Sequence, residues 1–95
     1  MAGPSYGPTA LPLAAQRVAV VGLGRAGVAH AIMLAHIPGC ELAAVADPRA
    51  GARAALRGMG FAVPAFARVE RLLDKVRPDA VVVCAAQHER ARVAQ

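Results

Sequence analysis

Arg17-Val-Ala-Val-Val-Gly22-Leu-Gly24-Arg-Ala-Gly27-Val-Ala-His30 is the stretch whose reading decides the fold. It opens with a β-branched apolar run that ends in glycine, as expected of a parallel strand buried on both faces. Residues Arg25–His36 then carry strong helix formers and no breaker, and Pro38-Gly39 ends them. Between strand and helix lies Gly22-Leu-Gly24-Arg-Ala-Gly27, a match to G-x-G-x-x-G. Alone the match is weak, because nine glycines in 95 residues produce such spacings by chance. Its context is the stronger signal. The motif follows a strand and opens a helix, and Asp47 lies 20 residues beyond Gly27, at the end of the next apolar run.

Outward from this stretch, strands and helices alternate. Glu41–Ala46 reads as a second strand, closed by Asp47-Pro48. A helix is predicted over about Ala50–Met59, with Gly58 and Gly60 as stops. Phe61-Ala-Val63 reads as a short strand before Pro64. Val69–Val76 reads as a helix, since Val69, Leu72, Leu73 and Val76 fall at i, i+3, i+4 and i+7. After Pro78, Asp79–Cys84 is the fourth strand, and His88–Gln95 begins another helix. The class is α/β: a partial Rossmann fold with a parallel sheet of about four strands, order 3-2-1-4, and helices on both faces. The domain is expected over residues 16–95. Residues 1–15, with three prolines and two glycines, read as a flexible leader.

Each residue of the glycine motif has a physical task if it holds a dinucleotide. Gly22 permits the tight turn out of the strand. Gly24 lets the backbone approach a pyrophosphate, and Gly27 lets the helix pack close to the strand. The N–H groups around Arg25 and Ala26, with the helix dipole, hold the anion. Asp47 accepts hydrogen bonds from the adenosine ribose hydroxyls, which favours NAD, because a carboxylate repels a 2′-phosphate. Arg49 leaves NADP open: it could stack on adenine or pair with that phosphate. The competing reading is a strand–turn–helix without a ligand, in which Asp47 is only a turn residue. Arg49, Arg53 and Arg57 share one helix face; for Arg53 and Arg57 a solvated basic surface is the simpler expectation.

Composition bounds the rest. A chain of 95 residues holds one small domain of marginal stability. Its apolar content of 57% excludes disorder as the main state, although much of that is alanine. The longest apolar run, Ala26–Ala35, contains His30 and is too short for a membrane span. Cys40 and Cys84 form neither a CxxC pair nor a disulfide framework, and no basic segment opens a signal peptide, so a reducing cytoplasm is expected. The net charge of +5 comes from scattered arginines, and three aromatic residues leave little to stack on bases, which argues against nucleic acid. No metal site is expected: His30 and His36 lack partners at ligand spacing. Cys84 reads as a small core residue.

Three segments together, Arg17–His30, Ile37–Pro48 and Val76–Cys84, resemble the amino-terminal domain of the glucose–fructose oxidoreductase / inositol dehydrogenase (Gfo/Idh/MocA) family. The resemblance runs from about Arg17 to Gln95. The Pro38-Gly39 turn, the Arg77-Pro78-Asp79 entry to the fourth strand and a histidine soon after it are its more specific marks. It implies hydride transfer between NAD or NADP and sugars, polyols or related small molecules. It further implies that Gly22, Leu23, Gly24, Arg25, Ala26, Gly27 and Asp47 line the cofactor. The family's loop after the fourth strand, usually Thr-Pro-Asn/Pro-His, matches Ala85-Ala86-Gln87-His88 here. His88 fits the pattern, Gln87 can offer an amide to a ribose hydroxyl, and Ala85 and Ala86 depart from it.

Family members continue with a strand carrying Glu-Lys-Pro, whose Lys contacts substrate, and with a second α/β domain. No residue of this chain corresponds to these, so no catalytic residue is assigned. The expectation is a cofactor-binding segment whose small-molecule substrate is met only in a longer protein, and which is inactive alone. The alternative is a non-catalytic nucleotide-binding or regulatory module. The uncharged edge Asp79–Cys84 is expected to make the isolated chain self-associate.

Overall fold

The computed structural model describes residues 15–84. The expectations for the leader ahead of Ala15, for Ala85, Gln87 and His88, and for a helix over His88–Gln95 lie outside the described residues. Seven elements follow in order: β1 (Gln16–Val21), α1 (Arg25–His36), β2 (Cys40–Ala46), α2 (Ala50–Gly58), β3 (Ala65–Phe66), α3 (Val69–Val76) and β4 (Ala80–Val83). The strands form one parallel sheet in the order β3-β2-β1-β4. This is the expected α/β topology.

The two faces of the sheet are covered differently. On one, Val18, Val20, Leu42 and Val45 meet Ala31 and Leu34 of α1 and Leu56 of α2. On the other, Ala19, Ala44 and Ala46 meet the buried Leu72 of α3, with Val21, Phe66 and Val76 packed around them. Alanines on that face let α3 lie close. Leu72 is fully buried, so truncating it to Ala costs about 2–5 kcal/mol. A shift in the β1–β2 register makes this division work. Val18 pairs with Leu42, but Ala19 pairs with Ala44, leaving Ala43 as an extra residue. The slip reverses the alternation in β2, so Leu42 and Val45 reach the same core.

One expected strand is displaced. Phe61–Val63 is not a strand; β3 is Ala65–Phe66. The ladder starts at Pro64, whose carbonyl accepts from the Val45 N–H at 2.9 Å and which has no N–H of its own to offer. Phe61 and Val63 pack against the core beneath α1 and α2 instead, so their apolar character reports burial rather than pairing. β4 is shorter than expected, yet its flanks remain tied to β1: the Asp79 N–H donates to the Arg17 carbonyl and the Cys84 N–H to the Val21 carbonyl, both at 2.7 Å. Parallel pairing brings the carboxyl ends of β1, β2 and β4 together, and the candidate site lies there.

Candidate functional site

The turn after β1 is shaped by two close approaches. Gly22 has φ +95°, a left-handed conformation that side chains disfavour. A Cβ on it would also run into the Cys84 carbonyl oxygen, at the end of β4. A Cβ on Gly27, in the first turn of α1, would run into the carbonyl oxygen of Gly22. These two glycines are therefore demanded by the protein's own packing. Gly24 differs. Its φ is −75°, open to any residue, and a Cβ there meets no atom within 4 Å. Among the described residues nothing requires Gly24 to lack a side chain; it keeps open the space in front of α1.

Gly24 is also the N-cap of α1. Among the described residues no side chain caps this end, and no acidic residue stands in the first turn. The first helical bond runs from the Val28 N–H to the Gly24 carbonyl at 2.9 Å. The amides of Arg25, Ala26 and Gly27 precede it and have no acceptor within the helix. The two amides before them are used differently. Gly22 N–H donates to the Ala46 carbonyl at 2.7 Å, and Leu23 N–H donates to Asp47 Oδ2 at 2.7 Å. The turn is thus fastened to β2 while the start of α1 keeps its positive end bare.

Asp47 sits just past β2 and is 3% exposed. Its carboxylate accepts four bonds. Oδ2 takes Leu23 N–H at 2.7 Å and Arg49 Nη2 at 2.9 Å; Oδ1 takes Arg49 N–H at 2.8 Å and Arg49 Nε at 2.9 Å. These donors hold its pKa down to about 2, the Arg49 side chain foremost, against a smaller opposing effect of burial. The group is a carboxylate at neutral pH and acts only as an acceptor. Arg49 extends over it with its side chain 60% exposed.

The structure corrects one expectation nearby. Arg53 is not a purely solvated surface residue: it is half-buried, and its Nη1 donates to the Asp47 carbonyl at 2.8 Å. Arg57, one turn on, is exposed. The pattern i, i+4, i+8 places these arginines on one face but does not say which of them reaches back over its own N-terminus. The Arg49–Asp47 fork was likewise not read from the sequence, although a basic residue two positions after the acid is its signal. Of the expected cofactor-lining residues, Gly22, Leu23, Gly24, Arg25, Ala26, Gly27, Asp47 and Arg49 converge on the adjacent carboxyl ends of β1 and β2. His30 Nδ1 lies 2.8 Å from the Ala26 carbonyl and 3.6 Å from Cys84 Sγ, a packed position on α1. Among the described residues no three His, Cys, Asp or Glu side chains gather where a metal could bind, and no helix is long and apolar enough to cross a membrane.

These features fit a dinucleotide: open space at Gly24, bare amides at the start of α1, and a buried carboxylate across the turn. Comparison with known proteins gives the same family. The model of an oxidoreductase family with an NAD-binding Rossmann fold, GFO_IDH_MocA, matches residues 16–95. A probable dehydrogenase from Thermotoga maritima is similar in structure, with TM-score 0.65 and 32% identity, over 81% of this chain and 23% of that one. Myo-inositol dehydrogenase from Lactobacillus casei, solved with NAD(H) and myo-inositol, has TM-score 0.66 and 30% identity, over 83% of this chain and 24% of that one. Scyllo-inositol dehydrogenase from the same organism, solved with NAD(H) and scyllo-inositol, shares the fold at TM-score 0.69 and 22% identity, over 76% and 22%. The chain thus spans about a quarter of the length of these solved relatives. No curated protein sequence matches it.

Proposed function

The chain belongs to the Gfo/Idh/MocA oxidoreductase family with its NAD-binding Rossmann fold, and from that premise we propose that the β1–α1 turn and Asp47 hold NAD for hydride transfer to or from a sugar, polyol or related small molecule. The observation that carries this reading is Gly24. Among the described residues it is the one glycine of the motif that packing leaves unexplained, and the amides of Arg25, Ala26 and Gly27, with no acceptor within the helix, stand beside it. A pyrophosphate in that space would receive those N–H groups and the positive end of α1. Asp47, ionised and buried, would accept from the adenosine ribose hydroxyls and fix the nucleotide's orientation. The nicotinamide supplies the hydride chemistry when the cofactor is bound. Substrate would be held by parts of a longer protein, in keeping with the length of the solved relatives. The free thiols Cys40 and Cys84 fit a reducing cytoplasm.

Calorimetric titration of the chain with NAD+ tests this reading. Saturable binding is expected, weakened at least about tenfold by Gly24→Ala with the melting temperature nearly kept. Equal affinity of wild type and Gly24→Ala would remove Gly24 from the site. A second proposal concerns association. Val81 and Val83 of β4 are exposed, Val83 to 70%, and no strand among the described residues pairs with its outer side. We expect the isolated chain to associate through that edge; light scattering that shows a monomer across a wide concentration range would refute it.

A further inference from the structure

Asp47 is held at its main chain as well as at its carboxylate. Its N–H donates to the Phe66 carbonyl at 2.9 Å, which carries the β2–β3 ladder one residue past Ala46. Beyond that rung the chain turns toward α2 at Pro48, which has no N–H. A strand end of this kind leaves a carbonyl in need of a donor. Arg53 Nη1 supplies it, reaching back from α2 to the Asp47 carbonyl at 2.8 Å. Arg53 is half-buried, whereas Arg57, one turn on, is exposed. Its part differs from that of the donors that keep Asp47 ionised, which are the Arg49 side chain and the amides of Leu23 and Arg49. Arg53 acts on the Asp47 backbone, and its contribution there is geometric.

We propose that Arg53 is a positioning residue for the proposed cofactor site: by holding the Asp47 carbonyl it fixes the main chain from which the Asp47 carboxylate faces the glycine turn, without itself touching the nucleotide. This rests on the dinucleotide reading and adds to it a residue outside the contact set. With the Asp47 N–H tied to β3 and its carbonyl tied to α2, the planar peptide groups on both sides of its Cα are fixed, and so is the direction of its side chain. A binding group has to stay within about 0.5 Å of its working position, and such precision comes from the residues that support it. Arg49 does not provide this support. Its three bonds run to the carboxylate itself, so they follow the carboxylate when the turn moves. Arg53 anchors the turn to a helix whose Leu56 is buried in the core.

The test measures, by calorimetry on the 95-residue chain, the affinity for NAD+ and for its analogue carrying 2′,3′-dideoxyadenosine. Wild type, Arg53→Met and Arg53→Lys are compared, with the melting temperature followed alongside. Arg53→Met keeps the apolar stem and removes the donor. It should weaken NAD+ about fivefold, the scale of one hydrogen bond. The analogue should lose less than about twofold, because the hydroxyls that Asp47 accepts from are already missing. Arg53→Lys can still donate one bond to a carbonyl and should return NAD+ to within about twofold of wild type. Should Arg53→Met lose its thermal transition, Arg53→Gln, whose amide nitrogen falls two bonds short of Nη1, carries the same comparison. Unchanged NAD+ affinity in the donor-less variant would overturn the proposal. Equal losses for NAD+ and the analogue would overturn it too, since Arg53 would then act on the site in general and not through Asp47. If wild type binds neither ligand, or both equally, the reading of the turn and Asp47 as a dinucleotide site fails, and this inference falls with it; a preference for NAD+ that survives Arg53→Met defeats only the role of Arg53.

Discussion

Two turns stand side by side at the carboxyl end of the sheet, and they are built in opposite ways. The turn between β1 and α1 works by missing side chains. Gly22 and Gly27 let backbone lie against backbone, and Gly24 leaves open space before a bare helix end. The turn between β2 and α2 works by side chains that bind one another: Asp47 is buried and Arg49 covers it. The first turn leaves space among the described residues. The second is preorganised but occupied by its own arginine.

The sharpest way to break this comparison is to put side chains where the first turn has none. Gly27→Ala places a methyl group against a backbone carbonyl that cannot rotate away. Gly22→Ala does the same and adds a disfavoured positive φ. Each should lose about 3 kcal/mol or more. In a domain this small that is a large share of the total stability, so loss of the cooperative thermal transition is the expected result. A melting curve like that of wild type would show that the turn can relax and that the close approach is not a constraint.

Removing Asp47 attacks the second turn. Asp47→Ala strands the buried Leu23 N–H and releases Arg49, which should cost about 2–3 kcal/mol in urea unfolding. In the same protein NAD affinity should fall by about 1–2 kcal/mol if Asp47 holds the ribose hydroxyls. Stability lost with affinity kept would assign Asp47 to the fold alone.

Acid titrates the same group without a mutation. Its folded pKa of about 2 lies below the ordinary 3.8. The stabilisation is therefore complete above pH 4 and is lost as the pH falls toward 2. Because Arg49 is largely solvated, the loss should be about 1–2 kcal/mol. The stability gap between wild type and Asp47→Ala should narrow by about 1–2 kcal/mol as the pH falls to 2, the Leu23 N–H bond accounting for what is left; a constant gap down to that pH would mean that hydrogen-bond geometry, not charge, stabilises the turn. The smallest expected effect separates the glycines. Gly24→Ala should change stability by no more than about 1 kcal/mol, the difference between glycine and alanine at an N-cap. A loss as large as that of Gly27→Ala would contradict the open space seen at Gly24.

Much of the fold was legible because its signals are local. The run Val18–Val21, the glycine spacing and the helical period of Val69, Leu72, Leu73 and Val76 each specify an element from neighbouring residues alone. The third strand was not legible. Phe61–Val63 has strand-like composition, yet the ladder begins at the Pro64 carbonyl, because only there does the chain come level with Val45. The slip at Ala43 was equally hidden, since Leu42–Ala46 is apolar throughout and shows no alternation to interrupt. At the candidate site, the residue types and the interval from Gly27 to Asp47 were readable. The state of Asp47 was not.

The sequence by itself determined the order of strands and helices, the parallel sheet and the convergence of the glycine turn with an acid at the next strand end. Those follow from periodicity, chain-breaking residues and the handedness of crossovers, all set along the chain. Only the tertiary structure decided which glycines serve packing and which leaves room, and whether the acid stands open or capped. Both depend on atoms distant in sequence: the Cys84 carbonyl opposite Gly22, and the Leu23 amide that seats Asp47 where Arg49 can close over it.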